Sequence, residues 1–318
     1  GLSLQLSQKL KDKSGEGWAT AFRGVHFLFS GSLKEAEENF IQSLKLGRAL
    51  QDNNLQSYSL NQLGNVFRDK GVFDSAYHFY RDAERTSLQG SNAFYQSVVK
   101  MNKTRYYLIL SKPDSALLEV KQAQRLREGL EDSSLMPDVW LLLGNCYRSK
   151  YDLDEAARYY DMVLKAVPRQ SVLHHQYLLN MGEVYFSRGD FPKALENWTQ
   201  VLAFHRRLNY KYELASLLYR MGEAFEEQGY YDLAIEHLTN SLSISEKSNY
   251  RYLAGEVYYE LAWVFFRSKN LGVATQNILK AEGVFKQMNQ ELRLAGCLNL
   301  KGLIHMKKGN YDSSFFYY

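Results

Sequence analysis

Two pairs of side chains suited to peptide recognition recur in the sequence, each an asparagine followed three positions later by an arginine. They are Asn65 with Arg68 and Asn145 with Arg148. A carboxamide donates and accepts hydrogen bonds at once, so one asparagine can hold both backbone groups of an extended peptide. Arginine binds a carboxylate through two parallel hydrogen bonds. These residue types predict a surface that binds an extended peptide.

Glutamates and aromatic residues take over later in the chain. Glu183, Glu223 and Glu226 precede Tyr259 and Trp263. At the groove positions that the resemblance described below implies, these residues are predicted to form an acidic shelf beside an aromatic pocket. Aromatic anchors concentrate binding energy at interfaces. Two alternatives stay open, because a solvated helix face would also explain the glutamates and packing between neighbouring elements would also explain Trp263.

Side chains with the spacing of a catalytic or metal site are missing from the sequence. The seven histidines form no His-Glu-x-x-His pair, and the sequence has no phosphate-binding glycine loop and no Gly-x-Ser-x-Gly elbow. The sequence therefore predicts a protein that is not an enzyme and that uses no metal and no cofactor.

Charge and hydropathy argue against nucleic-acid and membrane partners. The net charge is +4, and the basic clusters are short and scattered, unlike the footprint of a nucleic-acid-binding protein. The longest uninterrupted apolar run, residues 261–266, has six residues, whereas a helix needs about 20 to span a bilayer. We therefore expect neither partner for this region.

The elements that carry these residues repeat along the whole chain. A small residue returns at intervals of 40, with one interval of 38, and a second small residue follows each one twelve positions later. The first set is Gly24, Gly64, Thr104, Gly144, Gly182, Gly222, Ala262 and Gly302, and the second is Ala36, Ala76, Ala116, Ala156, Ala194, Ala234, Ala274 and Ser314. This regularity predicts an array of helical hairpins with one continuous core.

Each hairpin has a predicted crossing and a predicted turn. The small residues allow the backbones of the two helices to approach closely. A large residue usually stands sixteen positions after the first small residue, from Phe40 to Tyr318, and its side chain fills the space beside the crossing. Glycine ends the first helix in five repeats, where a positive φ is costly for other residues. Ser111, Tyr151 and Lys269 replace it elsewhere.

These segments resemble the tetratricopeptide repeat, most closely at 63–67 and 71–76, and the resemblance covers essentially all 318 residues. The 40-residue unit is similar to that of Pins-type polarity adaptors, Rap-type bacterial regulators and kinesin light chains. The resemblance implies an all-α fold, a right-handed superhelical solenoid of helical hairpins. It also implies a concave groove, lined by the first helices, that binds peptides or protein segments.

The resemblance further implies which residues face the groove. Groove positions lie six and three before the first small residue, and one, four and five after it. In similar proteins, asparagines at these positions bind the ligand backbone. The alternative is that such an asparagine contacts a neighbouring helix and no ligand. The predicted ligand-binding residues are Asn61, Asn65, Arg68, Arg105, Asn145, Arg148, Glu183, Glu223, Glu226, Tyr259 and Trp263.

Cys146 and Cys297 lie nearly four repeats apart. A disulfide requires Cα atoms within about 7 Å, so a bridge between them would need gross bending of the array. We expect two reduced, partly buried thiols. Unpaired cysteines slightly favour a reducing compartment such as the cytoplasm and leave the periplasm open.

The repeat pattern also predicts the organisation of the chain. Residues 1–13 align with the end of a second helix and are predicted to be the remnant of a preceding repeat. Residues 14–318 are predicted to hold eight repeats, the last of them truncated. We expect a protein- or peptide-binding module, the sensory or docking region of a larger bacterial regulatory protein. The alternative is an architectural scaffold that self-associates through its end repeats.

Overall fold

A computed structural model describes residues 2–90, 92–130, 132–169, 171–208, 210–288 and 290–317. All regular elements in these ranges are helical, as the repeat pattern predicts. The α-helices are α1 (Leu2–Leu10), α2 (Lys13–Phe29), α3 (Leu33–Ala49), α4 (Asn53–Asp69), α5 (Phe73–Gln89), α6 (Ala93–Ile109), α7 (Pro113–Glu128), α8 (Met136–Ser149), α9 (Leu153–Ala166), α10 (Val172–Ser187), α11 (Phe191–Leu208), α12 (Lys211–Glu227), α13 (Tyr231–Lys247), α14 (Arg251–Arg267), α15 (Leu271–Gln287), α16 (Glu291–Lys307) and α17 (Tyr311–Tyr317). A short 3-10 helix, Ser133–Leu135, precedes α8.

The chain divides into two compact units, residues 1–169 and residues 170–318. The boundary follows Pro168, which stands just after α9 in the one interval that is two residues short. Proline cannot donate the backbone hydrogen bond that would continue a helix. In the first unit α4 packs between the first helices of the adjacent repeats, α2 and α6, and in the second unit α14 lies between α12 and α16.

The predicted close crossings are present inside the hairpins. A Cβ atom added to Gly64 would lie 2.5 Å from Cε1 of Tyr80, and one added to Gly182 would lie 2.2 Å from Nε1 of Trp198. Because these distances leave no room for a side chain, these two helix pairs depend on glycine at their crossings. The equivalent position of the last repeat, Tyr318, lies outside the described residues.

The turns between paired helices have the backbone conformation expected of them. The glycine after the first helix has φ between 75° and 78° at Gly31, Gly71, Gly189, Gly229 and Gly309. Ser111, Tyr151 and Lys269 occupy the same left-handed region, with φ of 54°, 61° and 66°. The turn geometry is thus kept even in the three repeats where it strains a side-chain-bearing residue.

Four charged side chains form a cluster between α5, α6 and α7 that the sequence pattern does not reveal. Lys103 Nζ lies 2.6 Å from an oxygen of Glu84 and 2.5 Å from an oxygen of Glu119. Lys100 pairs with the same two carboxylates, at 3.0 Å from Glu119. Lys103 and Glu119 are buried. Because water does not solvate these charges, they are stabilised by their ion-pair partners.

Across the described ranges, no helix combines the length and the apolar character needed to cross a membrane.

Candidate functional site

The two predicted asparagine positions make the same internal hydrogen bond. Tyr80 Oη donates to Asn65 Oδ1 at 2.8 Å, and Tyr160 Oη donates to Asn145 Oδ1 at 2.8 Å. Each tyrosine is the large residue of its own hairpin crossing and is fully buried. The carboxamide oxygens therefore serve the adjacent helix, which is the alternative role considered for them. Contact with a ligand stays a prediction for both asparagines.

Asn65 also fixes the arginine that follows it. Arg68 Nη1 donates to Asn65 Oδ1 at 3.2 Å, and Arg68 Nε donates to Asp69 Oδ1 at 2.8 Å. Asn61, one turn earlier on α4, is only 1% exposed, and neither amide atom has a hydrogen-bond partner among the described residues. The structure thus offers Arg68 at the surface of the first unit, whereas a ligand would reach Asn61 only after a rearrangement.

Arg105 is the predicted groove residue of α6. Its Nη1 donates to Asn102 Oδ1 at 2.9 Å, and within the part of the chain that the structure describes it has no ion-pair partner. Burial lowers the pKa of Arg105, the Asp138 carboxylate opposes that effect, and the cations Arg68 and Arg127 add to it. Arg148 of α8, which occupies the repeat position of Arg68, is half-buried.

The hydrogen bond between Tyr80 and Asn65 makes a simple alanine test of ligand contact ambiguous. We expect Asn65→Ala to lower the free energy of unfolding by about 1–3 kcal/mol, because it leaves the buried tyrosine hydroxyl without its acceptor. The double variant Asn65→Ala with Tyr80→Phe removes both partners and should recover most of that loss. Urea unfolding of the two variants measures the difference. Equal stability of the single and double variants would contradict the assignment.

In the second unit, the first helices of three successive repeats enclose a cleft of about 190 Å³. We call it the acidic cleft. Its lining comes from α10, α12 and α14 and consists of Phe186, Glu223, Glu226, Glu227, Tyr259, Glu260, Trp263 and Arg267. Four residues predicted from the sequence, Glu223, Glu226, Tyr259 and Trp263, are thus brought together at one place.

The aromatic wall of the acidic cleft is held in edge-to-face contacts. The ring centroids of Tyr259 and Trp263 lie 6.5 Å apart at 77°, and those of Trp263 and Phe266 lie 5.7 Å apart at 85°. Trp263 also packs against the buried cluster around Ile278. The ring therefore contacts neighbouring elements and the cleft at the same time, so the two roles considered for it are compatible.

Arginines from a neighbouring repeat neutralise much of the predicted acidic shelf. Arg220 binds Glu183 through two hydrogen bonds of 3.1 and 2.7 Å and also pairs with Glu223. Arg267 Nε lies 2.9 Å from Glu226 Oε1, and Nη2 of the same arginine lies 3.8 Å from Glu227. The sequence analysis did not single out these arginines, although Arg267 occupies one of the groove positions.

Glu256, another glutamate of the second unit, is paired in the same way. Arg293 Nε lies 2.7 Å from Glu256 Oε1. The predicted shelf is therefore a set of ion pairs, and Glu260, two positions before the small residue Ala262, is the carboxylate that lacks such a partner among the described side chains. No groove position predicted from the sequence includes Glu260.

Burial and crowding shift the protonation of the carboxyl groups in the cleft. The pKa of Glu260 is raised to about 8, first by burial and then by the charges of Glu223 and Glu226, with Arg267 acting against them. Burial also raises the pKa of Glu223 and of Glu226 in spite of their arginine partners. Near neutral pH, Glu260 is thus protonated in most molecules.

The structure shows no sign of a reactive thiol or a metal centre in the ranges it describes. Cys146 and Cys297 are both free and buried, as expected, and burial raises the pKa of each thiol to about 12. A protonated, buried thiol is a poor nucleophile. No group of three His, Cys, Asp or Glu side chains in those ranges is arranged to hold a metal ion.

Sequence comparison identifies tetratricopeptide repeats in the middle of the chain. Two tetratricopeptide-repeat family profiles match, one over residues 105–171 and one over residues 173–247. No curated protein matches the sequence. The two profiles confirm the repeat type predicted from the spacing of the small residues.

Solved structures of the same fold extend over most of the chain. The apo form of the quorum sensor NprR from B. thuringiensis has a TM-score of 0.73 at 14% identity, with 99% of this chain and 89% of that chain covered. A Rap protein complexed with Competence and Sporulation Factor has a TM-score of 0.68 at 14% identity, with 96% of each chain covered.

A signal-transduction ATPase of the STAND class from Pyrococcus horikoshii, which has a tetratricopeptide-repeat sensor, has a TM-score of 0.68 at 13% identity. The match covers 88% of this chain and 45% of that chain. At these identities the likeness shows the fold. The chain is a helical solenoid of the tetratricopeptide type, related in fold to the Rap-type regulators.

Proposed function

We propose that this chain is a non-catalytic module that binds a protein segment or peptide and serves as the sensory or docking region of a larger regulatory protein. The observation that carries the proposal is the acidic cleft, where three successive first helices place aromatic and ionisable side chains around one space. Its volume of about 190 Å³ is below the roughly 300–1,000 Å³ of pockets for drug-sized molecules. A cleft of this size suits one side chain of a ligand that extends beyond it.

The solved relatives of similar fold support the proposal. One is a complex of a Rap protein with Competence and Sporulation Factor, and another is described as a quorum sensor. A bacterial regulatory role for this chain is part of the proposal.

Selection of phage-displayed random peptides against the chain tests the function. We expect one sequence motif to be enriched, and Trp263→Ala to weaken binding of the enriched peptide by about tenfold or more, because a central aromatic anchor typically contributes over 1 kcal/mol. Tyr230→Ala serves as the control, since Tyr230 is exposed at the start of α13 in the same unit. Binding that both variants leave unchanged would remove the acidic cleft from the proposal.

Self-association is a second candidate function, favoured by one feature of α1. Leu2, Leu6 and Leu10 recur every four positions on this helix and are 86%, 57% and 67% exposed. Residues at this spacing share one helix face. A scaffold of this kind would form a dimer that persists on dilution in light scattering and that Leu6→Glu disrupts. A monomer at all concentrations would exclude it.

A further inference from the structure

We propose that the acidic cleft binds the basic group of its ligand, the ammonium or guanidinium of a lysine or arginine side chain or the amino terminus of a peptide. This inference rests on the proposed function and names the chemistry that the cleft selects. Three features of the cleft support it: its aromatic walls, its excess of carboxylates and a buried carboxylate oxygen that accepts no well-aligned hydrogen bond from the described residues.

The walls suit a cation. Phe186, Tyr259 and Trp263 line the cleft, and the face of an aromatic ring attracts a cation placed within about 6 Å of its centroid. The protein already uses one of these rings in that way, because the Arg220 guanidinium lies 4.5 Å from the centroid of Phe186. A ligand cation would find the same kind of contact on Tyr259 and Trp263.

The carboxylates outnumber the cations that face them. Glu223, Glu226, Glu227 and Glu260 line the cleft together with a single arginine, Arg267. Arg220, whose guanidinium pairs with Glu223, also binds Glu183. When Glu260 is protonated, the four carboxylates of Glu183, Glu223, Glu226 and Glu227 still face only the two cations Arg220 and Arg267 among the described residues, so the cleft carries excess negative charge. A ligand cation would reduce it.

One buried carboxylate oxygen in the lining is ion-paired but accepts no well-aligned hydrogen bond from the described residues. Glu226 is 3% exposed, and its Oε1 accepts no hydrogen bond from the described residues, although Arg267 Nε lies 2.9 Å away. The N–H group of Arg267 therefore does not point at this oxygen. The ion pair compensates the charge of Glu226, and an N–H group of a bound ammonium or guanidinium would supply the hydrogen bond that this oxygen does not receive from Arg267.

Glu260 links cation binding to pH. The charged groups around it are Glu223, Glu226 and Glu227 on α12 and Arg267 on α14. The phenol groups of Tyr219 on α12 and Tyr259 on α14 also face it, and α10 contributes the uncharged ring of Phe186. Because the pKa of Glu260 is raised to about 8, the group is mostly protonated at pH 7. A bound cation favours the carboxylate, so binding releases a proton and affinity rises as pH increases toward that pKa.

An array of short immobilised peptides tests the proposal. One central position is fixed as lysine, arginine, norleucine or glutamate, the other positions are randomised, and each set is made with free and with acetylated amino termini. We expect the full chain to bind the lysine or arginine sets, or the free-terminus set, about tenfold more strongly than the norleucine and acetylated sets, given the strength of charge-assisted hydrogen bonds. The acetylated sets distinguish a side chain from an amino terminus.

Four variants show whether the preference arises in the acidic cleft. Glu260→Gln should reduce the preference for basic peptides, and so should Glu227→Gln, which changes an exposed residue of the cleft lining. Arg267→Gln should increase it, because the competing internal cation is gone. Glu236→Gln, an exposed residue of α13 outside the lining, should leave it unchanged. Circular dichroism confirms that each variant is folded.

The outcomes separate this inference from the proposed function. Binding with no preference for basic peptides, or a preference that survives both Glu260→Gln and Glu227→Gln, overturns the inference and leaves peptide binding intact. Binding of no peptide set, with the chain folded, overturns both. For a lysine or arginine peptide with an acetylated amino terminus, whose charge is constant in this range, a wild-type affinity that falls between pH 6 and pH 8 would also contradict the role of Glu260.

Discussion

Alanine in place of Gly182 should lower the free energy of unfolding by about 1–3 kcal/mol, the usual cost of forcing an extra methyl group into a packed core. The new Cβ would lie 2.2 Å from Nε1 of Trp198, whose side chain is fully buried. The indole cannot move freely, because Nε1 donates a hydrogen bond to the carbonyl oxygen of Leu179 at 3.2 Å. Urea unfolding followed by circular dichroism measures the change.

Gly283→Ala is the matched control for that variant. Gly283 lies inside α15, is exposed, and has no atom within 4 Å of an added Cβ. There alanine should stabilise the protein by about 0.5–1 kcal/mol, since it only removes the entropic cost of a helical glycine. The two substitutions are chemically identical, so their opposite signs would isolate the helix crossing. Stabilisation by both would show that α10 and α11 can separate without cost.

Replacing Glu119 by alanine should destabilise the protein by about 3 kcal/mol, the low end of the range for breaking a buried ion pair. Lys103 is buried and bonded to two carboxylates, so the variant leaves its ammonium with Glu84 alone. Glu128→Ala on the same helix is the control, because Glu128 is exposed and its carboxylate accepts from Gln124. Equal stability of the two variants in urea unfolding would contradict the prediction.

The same cluster should limit stability at both ends of the pH scale. Burial would raise the pKa of Glu84, but hydrogen bonds from Lys100 and Lys103 outweigh it and lower the pKa. Burial would lower the pKa of Lys103, and its two glutamates outweigh that effect and raise it. The contribution is therefore complete between the ordinary values of about 4.3 and 10.4 and is lost as pH falls below or rises above that window.

The hairpin architecture could be predicted from sequence because its signals are local and repeated. A glycine at 64 and a tyrosine at 80 lie within one hairpin, and the same relation returns in the other repeats. The turns are local as well, which is why Gly71 and even Tyr151 have the expected positive φ. The charged cluster around Lys103 escaped prediction because its members come from three helices and follow no period.

The acidic cleft was predictable in part. The groove positions placed Glu223, Glu226, Tyr259 and Trp263 on first helices, and these residues line one cleft. The ion pairs were missed because their partners are 37 to 41 positions apart, as in Arg220 with Glu183 and Arg267 with Glu226. One repeat is 40 residues, so these partners lie in adjacent repeats at slightly different heights along their helices. The axial offset between adjacent first helices decides which charges meet. Periodicity alone does not give that offset.

The arginine pairs have a mechanical consequence. Arg220 joins α12 to α10, Arg267 joins α14 to α12, and Arg293 joins α16 to α14. Each ion pair links the first helices of two consecutive repeats. A ligand that binds the carboxylate of one of these pairs would break the link between the two repeats. The distance between those repeats would then differ between the free and the ligand-bound protein.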